Sequence, residues 1–331
     1  MILVISHEKD EHATAVLAEL NRLGAPATLF DLAHFPQQFQ IALRYTNTGT
    51  DGPTRAFDLL PRASETPLPL SECRAIWWRR PMPFEIDDAV RTASHRNFAY
   101  NECLEAVSGL WQTLAAGDAF WINPPSRDEV AARKAYQLRV AQDVGLPIPD
   151  TLITNSPDRV REFIRAQGGP ERTIYKSFSA TEEAWRETRL LKENEVALLD
   201  AVRFAPVIFQ EYIPARVDLR ITVIGPHVFP GAIHSQETAY VVDFRMDMNR
   251  ARVEPWELPR EVERGLHALM ERLGLVYGAI DMRLTPDGRY VFLEVNPAGQ
   301  WLFMEEHTRH PITQTLARTL AENDQPRGVG A

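Results

Sequence analysis

The sequence predicts an α/β fold in the N-terminal part of the chain and an α+β fold with a sizeable antiparallel sheet in the C-terminal part. An apolar run at residues 2–5, a helical pattern at 11–23 and a second apolar run at 27–32 together form a β-α-β start. Farther along the chain strand patterns dominate, and they lie at residues 218–224, 227–234, 239–245, 278–284 and 290–295.

Length and charge restrict the class of protein. A chain of 331 residues can form two or three packed subdomains. Its net charge of -9 argues against a broad nucleic-acid surface, and it contains no run of about 18 apolar residues that could cross a membrane. The N-terminus lacks a basic leader, so we expect a cytoplasmic protein without a membrane partner. Cys73 and Cys103 have no spacing typical of disulfides or zinc sites.

The first domain is expected to be a Rossmann-like α/β domain at residues 1–122. After the β-α-β start, residues 40–61 have the pattern of a meander or exposed hairpin, followed by a strand at 75–78 and a helical stretch at 87–116. Asn123 then precedes two prolines, which mark the first boundary.

A small central α/β domain is expected at residues 123–209. Its predicted elements are a helix at 128–144, a strand at 151–154, a helix at 158–166, a strand at 173–177, a helix ending near 199 and a strand at 207–212. The α+β domain would then occupy residues 210–322, with a flexible tail at 323–331.

The sharpest chemical pattern lies in the last predicted hairpin. Asp281 lies on one strand, a Pro-Asp-Gly turn follows, and Glu294 and Asn296 share one face of the returning strand. Three converging oxygen donors suit Mg²⁺ held jointly with nucleotide phosphates. A solvated hairpin face is the alternative, but Glu294 has apolar neighbours, and a carboxylate is costly to bury unless it is paired or bound to metal.

Four further charged residues extend this pattern. Lys134 in the helix after the boundary and Lys176 at the end of an apolar strand suit phosphate as point charges, although a lone lysine is more often solvated. Asp218 and Arg220 share a strand face, as would a ribose-binding carboxylate and an anion-binding guanidinium. A structural Asp–Arg ion pair is the competing interpretation.

The segment Phe-Gln-Glu-Tyr-Ile-Pro at residues 209–214 lies where one predicted domain gives way to the next. A strand that breaks between domains exposes backbone donors and acceptors, and these can pair with the edge of an adenine ring. An ordinary interdomain turn is the alternative.

The order of these signals resembles the ATP-grasp superfamily from about residue 123 to residue 320. The resemblance implies an ATP-grasp fold and an ADP-forming ligase that uses ATP and Mg²⁺ to activate a carboxylate as an acyl phosphate. It implies that Asp281, Glu294 and Asn296 hold Mg²⁺, and that Arg220 and Arg245 face the transferred phosphate and the acyl group. The implied nucleotide-binding residues are Lys134, Lys176, Ser177, Gln210, Glu211, Tyr212, Ile213 and Asp218.

A narrower resemblance covers nearly the whole chain. The strings Ile-Trp-Trp-Arg-Arg-Pro at 76–81, Asn-Pro at 123–124, Pro-Asp-Thr-Leu-Ile-Thr-Asn at 149–155 and Leu-Glu-Val-Asn-Pro-Ala-Gly-Gln-Trp-Leu-Phe at 293–303 are similar to those of graspetide (microviridin-type) peptide maturases. This resemblance implies macrocyclisation of a ribosomally made precursor peptide, with a leader and a core, through ω-ester bonds to Ser or Thr or ω-amide bonds to Lys. We also expect a homodimer.

One departure from the superfamily concerns the loop after Lys176. It has none of the usual glycines, which would let the backbone approach phosphate closely. The hydroxyls of Ser177 and Ser179 would have to take that place.

Leader recognition is expected at residues 238–257. A hairpin there could add a strand or short helix of the leader, with Asp247, Arg250 and Arg252 setting its register. A solvated hairpin is the alternative. Nearby, His234 is a candidate general base for hydroxyl attack.

Two other functions remain open. A ligase of the ribosomal-protein glutamate ligase or glutathione synthetase type would use the same core to join a free amino acid to a small carboxylate or a protein tail. A catalytically inactive ATP- or peptide-binding partner is the second, and the intact set of Asp281, Glu294 and Asn296 argues against it.

Stacking of Trp77 and Trp78 on nucleic acid is disfavoured by the acidic chain.

Overall fold

The computed structural model describes residues 1–47, 54–63, 66–178, 188–237 and 251–325. Contacts divide the chain into two compact units. The first unit comprises Met1–Glu129, Leu275–Tyr277 and Pro311–Ala331, and the second comprises Val130–Gly274 and Gly278–His310.

The described residues of the first unit form two sheets. Its elements as far as residue 122 are β1 (Ile2–Ile5), α1 (Glu11–Arg22), β2 (Ala27–Phe30), β3 (Phe39–Thr46), β4 (Thr54–Pro61), β5 (Leu68–Pro69), β6 (Ala75–Trp78), α2 (Ala93–Ala115) and β7 (Phe120–Ile122). The parallel sheet has the order β2-β1-β6-β7, and β3, β4 and β5 form a separate antiparallel sheet. The predicted β-α-β start, hairpin and β6 strand are confirmed.

Burial explains the parallel sheet. All four residues of β1 are buried and apolar, as expected for a strand covered on both faces. Its core includes Phe30, Trp111 and Trp121, whose rings contact one another or their neighbours edge-on or tilted. Trp77 is also buried, with 1% exposure, so its ring is not a stacking surface for nucleic acid.

The helix predicted to begin at residue 87 begins at Ala93 instead. The guanidinium of Arg96 donates hydrogen bonds to the carbonyls of Ile86, Asp87 and Val90, and these bonds hold the preceding residues in a turn. The side chain of Thr92 caps the helix N-terminus.

The chain continues with α3 (Pro125–Ala131), α4 (Lys134–Asp143), β8 (Thr151–Thr154), α5 (Pro157–Gln167), β9 (Thr173–Lys176), β10 (Arg189–Leu190), α6 (Glu193–Val196), β11 (Val207–Glu211), β12 (Val217–Ile224), β13 (His227–Ile233), β14 (Val253–Pro255), α7 (Arg260–Leu273), β15 (Tyr277–Leu284), β16 (Tyr290–Asn296), α8 (Leu302–Thr308) and α9 (Ile312–Asn323). In the second unit, one sheet has the order β10-β9-β11-β8 and a larger sheet has the order β14-β13-β12-β15-β16. Helix α9 belongs to the first unit and packs against α1 and β6. The strand predicted at 239–245 lies outside the described residues.

The single helix predicted at residues 128–144 is wrong, because the chain breaks it into α3 and α4. The side chain of Gln137 donates to the carbonyl of Ala131, which a continuous helix would use for its own backbone bond. The same amide donates to the carbonyl of Val295 and accepts from its N–H. Gln137 therefore ties α4 to the edge of β16 and leaves Lys134 in the first turn of the second helix.

The helix predicted to end near residue 199 is also wrong. Arg189 and Leu190 pair with β9 as the short strand β10, so the chain there is extended. A single turn of helix, α6, and a 3₁₀ turn at Leu199–Phe204 follow. Leu191, Leu199 and Val202 instead pack into the core against Phe209.

In the described part of the chain, none of the helices has the length and apolar character needed to cross a membrane.

Candidate active site

The hairpin of β15 and β16 brings the expected metal-binding side chains together. Asp281 and Glu294 are direct cross-strand neighbours, and Asn296 lies two residues farther along, opposite Ala279. The ladder changes register between Asp281 and Met282, where a β-bulge adds Leu293 to β16 without a partner. The two carboxylates therefore lie side by side on one face of the ladder.

Helix α4 supplies a cation to this hairpin. Nζ of Lys134 donates to Oε2 of Glu294 at 2.6 Å, and the two side chains are 26% and 24% exposed. This partial exposure leaves the pair accessible to a ligand. The contact depends on the break between α3 and α4, because that break sets where α4 begins.

Arg220 on β12 supplies a second, more deeply buried cation. Its Nη1 donates to Oδ1 of Asp281 at 2.9 Å, and its Nη2 donates to the carbonyl of Gln300 at 2.9 Å. Gly299 permits this close approach: a Cβ there would lie 2.8 Å from Nη2 of Arg220 and 2.3 Å from Cβ of Ala279. The loop after β16 therefore fixes the direction of the guanidinium.

Asp218 is paired with a residue that the sequence interpretation missed. Nε of Arg283 donates to Oδ1 of Asp218 at 2.7 Å, and the hydroxyl of Ser235 donates to Oδ2. Asp218 and Arg220 do share a face of β12, and each pairs with a residue of β15. The available signal was the spacing of Asp281 and Arg283, which puts a second charge on the same face of β15.

Asp218, Arg220, Asp281 and Arg283 form what we call the charge quartet. All four are at least 92% buried, and their formal charges sum to zero. Because a buried charge is costly without a partner, the two cross-strand ion pairs are a condition for placing these residues inside the sheet. The ribose contact expected of Asp218 stays a prediction, since both of its oxygens already accept hydrogen bonds.

Lys176 is oriented by a neutral side chain. Its Nζ donates to Oε1 of Gln210 at 3.0 Å, and Nε2 of Gln210 donates to the hydroxyl of Thr151 at 2.8 Å. Gln210 is buried, so this chain of bonds fixes the direction of the ammonium. Ser177 follows directly and is half-buried, whereas Ser179 lies outside the described residues.

The segment expected to contact adenine is held by bonds on both sides of the chain. The N–H of Glu211 donates to the carbonyl of Asp150, and the N–H of Tyr212 donates to that of Arg172. The carbonyl of Ile213 accepts from Nη1 of Arg283 at 2.7 Å. These particular groups are therefore engaged within the protein, and contact with a base stays a prediction for the rest of the segment.

The donor set fits a magnesium–nucleotide complex. Among the described residues there is no cluster of three or more His, Cys, Asp or Glu side chains that could hold a metal by themselves. Asp281, Glu294 and Asn296 offer two carboxylates and an amide, which is a set of hard oxygens that leaves positions for phosphate oxygens. Lys134 and Arg220 now neutralise those carboxylates, and each cation could turn to phosphate when the carboxylates hold Mg²⁺.

Several predicted residues are separate from this site or cannot be placed. Arg245, Asp247 and Arg250 lie outside the described residues. Arg252 is half-exposed and contacts Glu237 and Glu254, besides donating to Nδ1 of His234.

The general-base hypothesis for His234 is not supported by its contacts. Nδ1 faces the guanidinium of Arg252 at 2.9 Å, and Nε2 faces Oε1 of Glu254 at 2.8 Å. A guanidinium can only donate, so Nδ1 is the acceptor and Nε2 carries the proton. The lone pair that a base would need is therefore already used.

A second buried polar cluster lies in the first unit, after the ends of β1 and β6. Asp10 accepts from the hydroxyl of Ser6 at 2.8 Å and pairs with Nε of Arg79 at 3.2 Å. Burial raises the pKa of Asp10, but the contacts of His12 and Ser6 and the charge of Arg79 outweigh it, so the pKa lies well below its usual range.

Asp128 on α3 behaves in the opposite way. Burial raises the pKa of its carboxyl to about 7, although the charge of Arg79 acts to lower it. Its Oδ1 is buried and has no hydrogen-bond partner within the described parts of the chain.

Two known domain families match the chain. Residues 1–129 match the MvdD pre-ATP grasp domain, and residues 131–320 match the RimK-like ATP-grasp domain. No curated protein sequence matches the chain.

Solved structures match over nearly the full length. The macrocyclase MdnC from Microcystis aeruginosa MRC, bound with precursor peptide MdnA, is 30% identical with a TM-score of 0.83, and the match covers 97% of this chain and 99% of that one. An ATP-grasp ligase associated with ribosomally made peptides from Chryseobacterium gregarium, in complex with ADP and a leader and core peptide, is 26% identical with a TM-score of 0.85, covering 98% and 97%. The macrocyclase MdnB from Microcystis aeruginosa MRC is 27% identical with a TM-score of 0.76, covering 96% and 98%.

These matches define the chain as an ATP-grasp ligase, and they confirm the predicted fold and ATP-dependent ligase class. The chain belongs to the RimK-like ATP-grasp family and, within it, to the group that includes the macrocyclase MdnC. The predicted resemblance to graspetide maturases is thereby confirmed.

Proposed function

We propose that this protein is an ATP-dependent macrocyclase of a ribosomally made precursor peptide. It transfers the γ-phosphoryl group of ATP to the side-chain carboxylate of an Asp or Glu in the core. A Ser or Thr hydroxyl, or a Lys amine, of the same peptide then attacks the acyl carbon and displaces phosphate. The products are ADP, phosphate and a graspetide ring closed by an ω-ester or an ω-amide bond.

The observation that carries this proposal is the full-length match to MdnC, a macrocyclase whose structure contains its precursor peptide. The arrangement of charges in the second unit agrees with it. Acyl phosphate chemistry needs alignment and neutralisation of negative charge more than it needs a nucleophile on the enzyme. Lys134 and Arg220 contact the carboxylates of Glu294 and Asp281 here, and they supply the positive charge that such chemistry needs.

Each part of the site has a proposed role. Lys134, Lys176 and Ser177 bind the nucleotide phosphates. Asp281, Glu294 and Asn296 hold Mg²⁺, which when bound supplies Lewis-acid stabilisation of charge on the phosphoryl oxygens. The remaining nucleotide contacts are assigned to Gln210, Glu211, Tyr212, Ile213 and Asp218.

Arg220 is the proposed ligand of the substrate carboxylate and its acyl phosphate, with Arg245 as a second cation. Its guanidinium already holds a carboxylate, that of Asp281, at 2.9 Å. A planar guanidinium can bind a carboxylate with two parallel hydrogen bonds and keep contact as negative charge shifts. This role requires the guanidinium to exchange Asp281 for substrate when the metal is bound.

The experiment that tests this function is co-expression with a candidate acidic precursor peptide, followed by mass spectrometry and analysis of the nucleotide product. Each ring removes one water from the peptide, and the nucleotide product is expected to be ADP. A peptide that gains the mass of an amino acid minus one water would instead indicate a ligase of the ribosomal-protein glutamate ligase or glutathione synthetase type. An unchanged peptide with no ADP formed, or formation of AMP, would contradict the proposal.

Leader binding is proposed at residues 238–257. Among the described residues β14 is an edge strand of the five-stranded sheet, and an edge strand can accept an added strand. Arg252 lies just before β14 and is half-exposed, so it can contact a peptide along that edge.

We expect Arg250→Glu combined with Arg252→Glu to raise KM for a leader-bearing peptide by about tenfold, because two favourable charges become repulsive. The affinity for ATP should not change. Arg159→Glu, which reverses an exposed charge on α5, is the matched control and should leave KM as in the wild type. An unchanged KM in the double variant would place the leader site elsewhere.

The division into domains at residues 1–122, 123–209 and 210–322, a homodimer and a cytoplasmic location complete the proposal. Light scattering on the purified protein tests the dimer, and a monomer at micromolar concentration would contradict it.

A further inference from the structure

Arg283 joins two parts of the second unit that the proposed reaction uses for different purposes. On β15 it is two residues from Asp281, so it belongs to the strand that carries the metal-binding carboxylate. Its guanidinium also reaches the segment after β11, where the base of the nucleotide is expected to bind.

Arg283 makes contacts through two nitrogens of its guanidinium and through the face of the group. Nε donates to Oδ1 of Asp218 and Nη1 donates to the carbonyl of Ile213, each at 2.7 Å. The central carbon of the guanidinium lies 5.6 Å from the centre of the Tyr212 ring, within range of a cation–π contact. The residue is 4% exposed, so solvent does little to weaken these interactions.

We propose that Arg283 is a positioning residue that sets the geometry of the segment from Glu211 to Ile213, and thereby the preference for ATP over other nucleoside triphosphates. The inference rests on the proposed function, because it takes this segment to be the one that contacts the base. Arg283 itself touches neither base nor phosphate in this assignment.

The physical reason is the rigidity of the guanidinium. Its donors have fixed directions in one plane, so bonds to Asp218 and to the carbonyl of Ile213 fix these two groups relative to each other. Backbone recognition of a base edge requires hydrogen bonds near 2.9 Å with good angles, and it weakens steeply when they are misaligned. A small shift of Ile213 would therefore affect the pairing of one base edge more than the binding of phosphate.

Arg283 has a second consequence for the charge quartet. Asp218 and Arg220 share a face of β12, so an unpaired Asp218 would compete with Asp281 for the guanidinium of Arg220. By holding Asp218, Arg283 leaves Arg220 directed at Asp281 and Gln300.

The diagnostic substitution is Arg283→Lys. A lysine keeps the positive charge beside Asp218, but its single ammonium group cannot also hold the Ile213 carbonyl in the fixed geometry of the fork. The buried ion pair is thus retained while the contact to the nucleotide-binding segment is lost. Arg289→Lys is the matched control, because Arg289 is an exposed arginine of the same hairpin, paired with Asp287 in the turn.

The measurement is binding of Mg·ADP and Mg·GDP by titration calorimetry, together with kcat and KM for ATP and GTP in ring formation. For Arg283→Lys we expect Kd for ADP to rise about tenfold, because the backbone groups that contact the base would lose the alignment that their hydrogen bonds need. Kd for GDP should change less than threefold, so the preference for adenine falls. KM for the peptide and all constants of Arg289→Lys should stay within twofold of wild type.

Failure of this inference differs from failure of the proposed function. Wild-type protein that binds no Mg·ADP would contradict the function itself. Normal ADP affinity in Arg283→Lys, or an equal loss for both nucleotides, would reduce Arg283 to a structural residue and overturn the inference. If Arg283→Lys does not fold, Arg283→Met combined with Asp218→Asn removes both charges of the buried pair together with the bond to the Ile213 carbonyl. ADP and GDP share the ribose, so the ratio of their Kd values still reports on the base, and an unchanged ratio in that variant would overturn the inference equally.

Discussion

The two large sheets differ in where they place charge. In the parallel sheet of the first unit, β1 reads Ile-Leu-Val-Ile and β6 reads Ala-Ile-Trp-Trp, and none of its four strands contains a charged residue. In the second unit, β12 and β15 are buried at all eight positions each, yet two positions in each strand are charged. β1 is thus as fully buried as β12 and β15, yet only the latter two carry charges.

The two units place polar groups against their cores in different ways. In the first unit, Asp10 and Arg79 follow the carboxyl ends of parallel strands, so the strands themselves stay apolar. In the second unit the charges lie within the strands, and each is paired with an opposite charge on the neighbouring strand. Buried ion pairs of this kind add little net stability over apolar side chains, so they point to a requirement beyond folding, and we interpret it as the requirement of the reaction.

The largest effect is expected for Asp281→Asn and Glu294→Gln, which remove one charge with little change in volume. If these residues hold Mg²⁺, each variant should fold and bind peptide, yet lose turnover by about 10³-fold, corresponding to about 4 kcal/mol of lost charge stabilisation. Ring formation is followed by mass spectrometry and folding by circular dichroism. Wild-type rates would mean that the charges within the strands serve only the sheet.

The next effect concerns Arg220. Arg220→Lys should be nearly as damaging as Arg220→Ala, with ring formation reduced by about 10²-fold, because an ammonium cannot reproduce the two-pronged contact with a carboxylate. Leader affinity, measured by fluorescence titration without ATP, should remain near wild type. Most of the cyclisation rate surviving in Arg220→Lys, or loss of leader binding, would transfer the role to Arg245.

The smallest effect is a pH dependence in the first unit. The folded pKa of Asp128 is about 7, above the value near 4 of an unfolded chain, so unfolding releases a proton between these limits. The contribution of Asp128 to the free energy of unfolding should be greatest below about pH 4. It should then fall by about 1 kcal/mol per pH unit from pH 5 to pH 7. Hydrogen exchange of β1 and β6 against pH measures it, and Asp128→Asn should flatten the slope.

Asp10 has the opposite effect, because it stabilises the first unit at neutral pH and lowers its stability in acid. Its folded pKa lies well below its usual range, so its contribution is present above about pH 4 and is lost as the pH falls toward the folded value. A slope that survives in Asp128→Asn would show that another group titrates.

Which charged residues share a strand face was predictable from sequence, whereas their partners and the helix break depend on long-range contacts. Alternation placed Asp218 with Arg220 and Glu294 with Asn296 on shared faces, because a strand has a period of two. The break before Lys134 was not predictable, since it depends on a bond from Gln137 to Val295, 158 residues away. The helical periodicity on either side of the break continues as if the helix were unbroken.

The cross-strand partners were likewise beyond the sequence pattern. Arg283 was overlooked because its role follows from β12 lying beside β15, and strand order is not encoded in either strand alone. The contacts of His234 were not predictable for the same reason, because Glu254 on β14 and Arg252 just before it come next to His234 only in the folded chain.

The β-bulge at Leu293 separates the pairing of β15 and β16 near the turn from their pairing at the open end of the hairpin. Toward the turn, Met282 faces Phe292, and toward the open end, Asp281 faces Glu294, with one unpaired residue between the two ladders. A one-residue slip that began in the turn would ordinarily invert every side chain of the returning strand. Here the extra residue can absorb such a slip, because the pairing on the turn side of the bulge and the pairing on the open side are already offset by one residue. The turn at residues 285–289 can therefore vary in length over evolution or in engineered variants while the two carboxylates keep their alignment.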